Sequence, residues 1–116
     1  MAQVEQTIQK TLALELAQLP ESRRQVLSRF FVPPYRQIRE HGYRPGNSEC
    51  WIFAESQSVL LCYCLNGLSK EYCWGILERE TADLGADDRW HLSMDHAFMN
   101  SGLCDRSLVP NDYEVP

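Results

Sequence analysis

Two cysteines in the apolar middle of the chain, Cys62 and Cys64, are the first candidates for chemistry. Residues two apart on a strand lie on the same face, so these thiols could bind zinc together with Cys50 or Cys73 from a neighbouring strand. The Cys-x-Cys spacing inside an apolar run nevertheless differs from structural zinc sites, whose cysteines are about two to four residues apart on a turn. Free cysteine is also among the most buried residue types. Packing in the core is therefore the favoured interpretation, and no metal site is predicted.

A second candidate cluster lies towards the C-terminus, where His91 and Asp95 are four residues apart and Ser93 and His96 are close in sequence. Side chains four apart on a helix can meet. A hydrolase needs a nucleophile, a base and an orienting acid that converge in a cleft, and no nucleophile-elbow sequence surrounds Ser93 or Ser101. Capping by Asp95 near the positive end of a helix and solvation of His96 explain the same residues. No catalytic residue is predicted.

Cofactor and nucleic-acid binding are not favoured either. The six glycines are scattered and form neither a P-loop nor a dinucleotide fingerprint, so no cofactor is predicted. An array of basic and aromatic residues could contact nucleic acid, namely Tyr35, Arg36, Arg39, Tyr43 and Arg44. A protein with a pI of about 5.1 is at an electrostatic disadvantage on phosphate. We expect these arginines to pair with acidic side chains of the same chain.

Length and composition predict one globular domain that spans residues 1–116. No apolar stretch approaches the roughly 20 residues that a membrane span needs, and the N-terminal residues lack the pattern of a secretory signal. The five cysteines are an odd number without a signal peptide, which argues against a disulfide framework. These features predict a cytoplasmic protein without a membrane partner.

The net charge of −5 is divided unevenly along the chain. Residues 1–48 carry seven basic and four acidic side chains, a net charge of +3, whereas residues 49–116 carry four basic and twelve acidic ones, a net charge of −8. The two halves could complement each other within one fold, or the acidic half could face a basic partner. Such charge would steer association more than it adds affinity.

Three apolar runs bounded by turn signals predict strands at 49–55, 58–65 and 71–79. Together they form a three-stranded antiparallel meander, in which the most continuously apolar middle run is covered on both faces. An alternative is a pair of helices at 56–65 and 69–84, but the cysteine, tyrosine and tryptophan residues favour strands.

The N-terminal part predicts three helices. An apolar face recurs through 2–19, and an amphipathic pattern follows through 20–32 before a Pro-Pro pair. A third, short helix is predicted at 35–41, with Tyr35 and Ile38 facing inward. The predicted fold class is therefore α+β, with N-terminal helices ahead of the meander.

The C-terminal part predicts one more helix and a tail. A helical apolar face runs through 88–101, with Asp88 or Ser93 as the N-cap and Gly102 as the stop. The tail at 103–116 has two prolines and no clear period, so irregular coil is expected.

Residues 53–62, with the sequence Phe-Ala-Glu-Ser-Gln-Ser-Val-Leu-Leu-Cys, resemble the strand–turn–strand centre of the SUKH superfamily. Pro-Pro-Tyr at 33–35, followed by Gly-Asn at 46–47, is similar to the helical lead-in of those proteins. The resemblance covers about residues 30–77. It implies an α+β fold whose bacterial members include immunity proteins that bind and block a partner toxin. It implies no catalytic residues.

The favoured function is a non-enzymatic protein-binding module, such as an immunity or inhibitor protein that occludes its partner. An aromatic anchor inside a charged rim suits an interface. The predicted partner-binding patch consists of Glu78, Glu80, Asp83, Asp87, Asp88 and Trp90.

Two alternatives come from other classes. A homo-oligomeric assembly protein, a homodimer in the simplest case, would use an uncovered apolar sheet face. A small enzyme would use Cys64 or His91. The residues of the uncovered face would be Trp51, Phe53, Tyr72 and Trp74.

Overall fold

The apolar middle of the chain forms an antiparallel sheet with helices around it. The computed structural model describes residues 2–41, 46–65, 71–85 and 87–110, without the side chains of residues 2–4 and 87. Each strand is antiparallel to the next one along the chain. The strands are β1 (Phe31–Glu40), β2 (Asn47–Glu55), β3 (Val59–Tyr63), β4 (Trp74–Glu78) and β5 (Trp90–His91). The helices are α1 (Ala2–Gln18), α2 (Glu21–Ser28) and α3 (Met94–Asn100), with short 3₁₀ turns at Asp87–Arg89 and Arg106–Leu108.

Side chains of the three central strands alternate between two buried clusters, because successive residues of a strand point to opposite faces. The cluster on the helix side, called the helix-side core, includes Trp51, Phe53, Leu61, Trp74, Ile76 and Phe98. The cluster on the other face, called the inner core, contains Cys50, Ile52, Leu60, Cys62, Cys64, Leu77, Leu84 and Trp90. Residues 59–62 of β3 are all buried, which confirms that the middle strand is covered on both faces.

Helices α1, α2 and α3 supply the cover of the helix-side core, and α1 matches the helix predicted at 2–19. Together with Leu19, which lies between α1 and α2, their buried apolar side chains are Ile8, Leu12, Leu27, Met94, Ala97 and Phe98. Glu15 interrupts the apolar face of α1 because its Oε1 accepts a hydrogen bond from the backbone N–H of Met94 (3.1 Å). Backbone N–H groups in the first turn of a helix have no partner within that helix, and the N–H of Met94 is one of them. The charged residue therefore joins α1 to α3.

The predicted helix at 35–41 is wrong, because these residues belong to strand β1. Pro33 and Pro34 favour extended backbone before them and are tolerated on an edge strand, where one side has no partner strand. Tyr35 and Ile38 are exposed rather than facing inward. Over the described residues, the sheet consequently has five strands instead of the predicted three.

Two predicted helices are also shorter than expected. Helix α2 ends at Ser28, because Phe31 starts β1 and packs edge-on against Phe53 at a ring-centroid distance of 5.6 Å. The C-terminal helix begins at Met94, with the predicted alternative Ser93 as its N-cap. The residues before it form β5, which pairs with β4, so sheet pairing overrides their helical spacing.

The helical alternative for 56–65 and 69–84 is wrong over the described residues, since β3 and β4 lie there. The apolar face considered for oligomer formation is covered by the chain itself. Of its residues, Trp51, Phe53 and Trp74 are buried and Tyr72 is half-buried.

Several predictions concern residues outside the described ones, including Tyr43, Arg44 and the tail from 111 onwards. The tail up to 110 is irregular apart from one 3₁₀ turn. Among the described helices, none combines the length and the apolar character needed to cross a membrane.

Candidate functional site

A buried arginine holds the segment that carries most of the predicted acidic patch. Residues 79–89 connect β4 to β5 and are called the strap. Arg39, near the end of β1, is 3 % exposed. Its Nη1 donates to the carbonyl oxygens of Glu78 (3.1 Å), Thr81 (2.6 Å) and Asp83 (3.1 Å). A buried cation needs polar partners, so these contacts fix the path of the strap backbone over Arg39.

The strap also pairs with the outer edge of β1. The N–H of Glu40 donates to the carbonyl of Ala82 (3.1 Å), and the N–H of Leu84 donates to the carbonyl of Glu40 (3.0 Å). These bonds form a parallel bridge on the side of β1 away from its partner β2. The carbonyl of Leu84 also accepts from Nε1 of Trp90 (2.9 Å). The Arg39 guanidinium, the backbone of Glu40 and the Trp90 indole thus fix the strap against the sheet.

The prediction that Trp90 is the exposed aromatic anchor of the patch is wrong. Trp90 is 4 % exposed and belongs to the inner core. Its ring lies against Gly75 of β4 so closely that a Cβ atom on that glycine would be 2.7 Å from the ring. The indole therefore stabilises the strap from below and offers no surface to a partner.

The carboxylates of the predicted patch lie on the outside of the strap and at its start. Four of them, called the acidic rim, are Glu78, Glu80, Asp83 and Asp88. All are exposed except the half-buried Asp83, whose Oδ1 accepts from the N–H of Gly85 (3.0 Å). Glu78 forms an ion pair with Arg89. The side chain of Asp87 lies outside the described residues.

The acidic rim presents negative charge on a fixed backbone. Among the described residues, no ion pair engages Glu80 or Asp88. The nearby cation Arg79 is engaged elsewhere, donating to the carbonyl of Ser56 (3.1 and 2.8 Å) and lying 3.6 Å from Glu55. A fixed set of carboxylates loses little freedom when a cation binds, and it steers positively charged partners. The rim therefore has the chemistry of an interface for positive charge.

The central cysteines pack the core. Cys50, Cys62 and Cys64 are at most 1 % exposed, and the β2–β3 register brings Cys50 opposite Cys64. Cys73 belongs to the helix-side core, on the other face from these three. A hydrogen bond with Cys62 and burial raise the pKa of the Cys50 thiol, which disfavours the thiolate that would bind a metal or attack a substrate. Within the described residues, no group of three or more His, Cys, Asp or Glu is arranged to hold a metal ion.

The histidine cluster near α3 has structural roles. The Ser93 hydroxyl accepts the backbone N–H of His96 (3.1 Å) as the N-cap. Both oxygens of Asp95 accept from Arg23 of α2, each at 2.8 Å. His91 is 2 % exposed, and its Nε2 is buried without a hydrogen-bond partner among the described residues. These contacts join α3 to α2 and do not assemble a nucleophile, a base and an acid.

Sequence reasoning missed the two buried arginines, although signals for both exist. Arg23 also donates to the carbonyl of Leu108 (2.9 Å), so it ties α2 to the C-terminal segment as well as to Asp95. Its position four residues before Leu27, the buried apolar residue of α2, places it on the buried face. Arg39 is a buried residue between two exposed residues of β1, as expected for a side chain that points to the opposite face of the strand. Neither signal can be interpreted without knowing which segments are helix or strand.

The described members of the basic and aromatic array considered for nucleic acid, Tyr35, Arg36 and Arg39, do not present their charges together. Arg39 is buried, Arg36 lies 3.7 Å from Glu49, and the hydroxyl of Tyr35 donates to Glu55. Burial, the hydrogen bond and the negative charge of Glu55 raise the pKa of Tyr35 to about 12. The predicted pairing of these residues with acidic side chains of the same chain is confirmed for Arg36.

No protein-family model, curated protein or solved structure matches this chain at a significant level. The resemblance to the SUKH superfamily therefore stays a prediction.

Proposed function

We propose that this chain is a non-enzymatic protein-binding module that occludes a basic surface of a partner protein, in the manner of an immunity or inhibitor protein. The observation that carries the proposal is the acidic rim on a strap that buried Arg39 holds in place. Charge of one sign attracts a surface of the opposite sign, and a backbone that is already ordered loses little freedom on binding. The strap combines both properties.

The charge of the chain as a whole supports the same proposal. Residues 49–116, which contain the strap, carry a net charge of −8. At physiological salt, charges act over roughly 8 Å, so the rim carboxylates attract a basic partner over the last part of its approach. The expected signature is a fast association rate that falls with ionic strength.

A comparison of two charge-reversal variants tests this proposal. The rim variant is Glu80→Lys/Asp88→Lys, and the control is Glu5→Lys/Glu21→Lys, which changes the net charge equally on exposed helical positions. A partner captured from the native host is first identified and purified. Stopped-flow association is then measured with both variants at several salt concentrations.

We expect the rim variant to associate about tenfold more slowly at low salt and to lose most of its salt dependence, because steering acts through nearby charges. The control should change the rate by less than about twofold. Equal effects of the two variants would mean that only global charge matters. An unchanged association rate for the rim variant would show that the rim carboxylates are solvated side chains that do not act on the partner.

A further inference from the structure

The outer edge of β1 has backbone groups that no neighbouring strand uses. β1 is the first strand of the sheet, and β2 is its partner on one side only. Glu40 points its N–H and C=O away from β2 and towards the strap. The register between β1 and β2 is continuous from Tyr35 to Glu40, and backbone groups alternate in direction along a strand. The N–H and C=O of Arg36 and Ile38 therefore point the same way as those of Glu40.

The stretch of β1 with unused outward backbone groups is short, and it is bounded at both ends. Towards the N-terminus the regular register ends at Tyr35, and Pro34 before it has no N–H. The strap occupies the edge at Glu40. Among the described residues, no backbone hydrogen bond satisfies the outward groups of Arg36 or Ile38. These two donors and two acceptors are called the open edge.

We propose that the open edge binds an extended segment of the basic partner protein as an added strand. This inference rests on the proposed function and specifies how the partner attaches. Residues 82–84 of the strap already pair with the same edge, so the edge accepts a strand beside Glu40. An added strand would gain main-chain hydrogen bonds at Arg36 and Ile38.

The side chains around the open edge define the chemistry of the segment. Ile38 is 57 % exposed and offers an apolar contact to one residue of the added strand. Exposed Glu40 follows on the same face of β1, and the half-buried carboxylate of Asp83 belongs to the bridge beside it. A segment with an apolar and a basic residue two positions apart would present both on this face, with the apolar side chain beside Ile38 and the cation near these carboxylates.

A second copy of the chain fits this edge poorly. In an antiparallel self-pair around Gln37, Pro34 of one copy would lie beside Glu40 of the other. The strap of that other copy already occupies this place, through the bonds of Ala82 and Leu84 to Glu40. The prolines would also leave the self-pair short of donors. A separate peptide that ends before the strap avoids both conflicts.

Amide hydrogen exchange measured by NMR tests the edge in the free protein and with a probe. Without ligand, the amides of Arg36 and Ile38 should exchange quickly, while those of Gln37 and Arg39, which face β2, should be protected. The probe is an acetylated, fluorescein-labelled hexapeptide in which Lys and Val take turns at the odd positions and Thr occupies the even positions, so that Lys and Val share one face of an added strand. On saturation with it, the Arg36 and Ile38 amides should become protected by about tenfold or more.

Two N-methylated forms of the hexapeptide report the main-chain bonds directly. One is methylated on the amides of the odd positions, Lys and Val, and the other on the Thr amides, and only one set faces β1 in an added strand. We expect one form to lose about tenfold in affinity by fluorescence anisotropy and the other to change by less than about threefold. Equal affinity of both forms and the parent peptide would overturn the added strand.

Protein variants separate this inference from the proposed function. Ile38→Pro removes one outward N–H and should weaken peptide binding about five- to tenfold, whereas Ile38→Thr keeps the N–H and should weaken it less. Thermal unfolding checks the fold of both variants, and the methylated peptides carry the test if Ile38→Pro does not fold. Binding that responds to Glu80→Lys/Asp88→Lys but not to methylation or Ile38→Pro would refute the added strand and leave the acidic rim in place. The reverse pattern would refute the rim and keep the edge, and no binding to the native protein would refute the edge.

Discussion

Replacement of Arg39 by methionine tests whether this side chain holds the strap, because it removes the guanidinium and keeps most of the apolar stem. Nη1 carries two protons, so of its three carbonyl partners it can satisfy two fully, and Nε donates a third bond to Gln37 Oε1 (2.7 Å). At about 1–1.3 kcal/mol for each of these three bonds, the loss is about 3–4 kcal/mol. Relief of the cost of burying a charge offsets roughly 1 kcal/mol. We expect Arg39→Met to lower the free energy of unfolding by about 2–3 kcal/mol.

Urea denaturation followed by tryptophan fluorescence measures this loss, and Arg36→Met is the matched control on the same strand. The Arg36 side chain is 51 % exposed and lies 3.7 Å from Glu49, so its removal should cost less than about 0.5 kcal/mol. Hydrogen exchange adds a local readout, because the amides of Glu40 and Leu84 bond across the strap. A loss below about 1 kcal/mol for Arg39→Met, or unchanged protection of those two amides, would refute the anchoring role.

Two further predictions concern the core beneath the strap and the helix side of the sheet. Gly75→Ala should lower the free energy of unfolding by about 1–3 kcal/mol, because the added Cβ would lie 2.7 Å from the Trp90 ring. A thermal midpoint equal to that of the native chain would contradict this close packing. Burial, with smaller contributions from His96 and Arg89, lowers the pKa of His91, so the unfolded chain binds this proton more readily than the folded one. The free energy of unfolding should therefore fall as the pH drops below about 6.5, by at most about 1.4 kcal/mol per pH unit. The His91→Gln variant should lack this contribution to the pH dependence of its stability. Equal slopes for the two proteins between pH 7.5 and 5.5, measured by urea denaturation, would show that His91 does not contribute.

The strands of the core could be predicted from local patterns, whereas β1 could not. Each central run is apolar throughout, and residues 59–62 are buried on both faces as that pattern indicates. β1 instead mixes prolines, charges and single apolar residues. Its extended form is stabilised by pairing with β2 on one side, and this contact joins residues that are distant in sequence. Helical spacing at 35–41 was therefore a weaker determinant than the neighbouring strand.

The acidic rim could be predicted from the sequence, whereas the residue that supports the strap beneath it could not. The carboxylates of Glu80 and Asp88 can be recognised as exposed charge from composition alone. The role of Trp90 could not be predicted, because an aromatic residue next to acids is equally compatible with an interface and with a core. Its burial and the close approach of its ring to Gly75 identify it as a core residue.

The sequence by itself determined the α+β composition, the buried central strands and the acidic second half, because these depend on which side chains avoid water and where charge accumulates. The tertiary structure alone decided that Arg39 lies beneath the strap and that part of the β1 edge stays open. Both features depend on hydrogen bonds to backbone groups about 40 residues away, and these groups are the same in every residue except proline, so they leave no mark on the sequence.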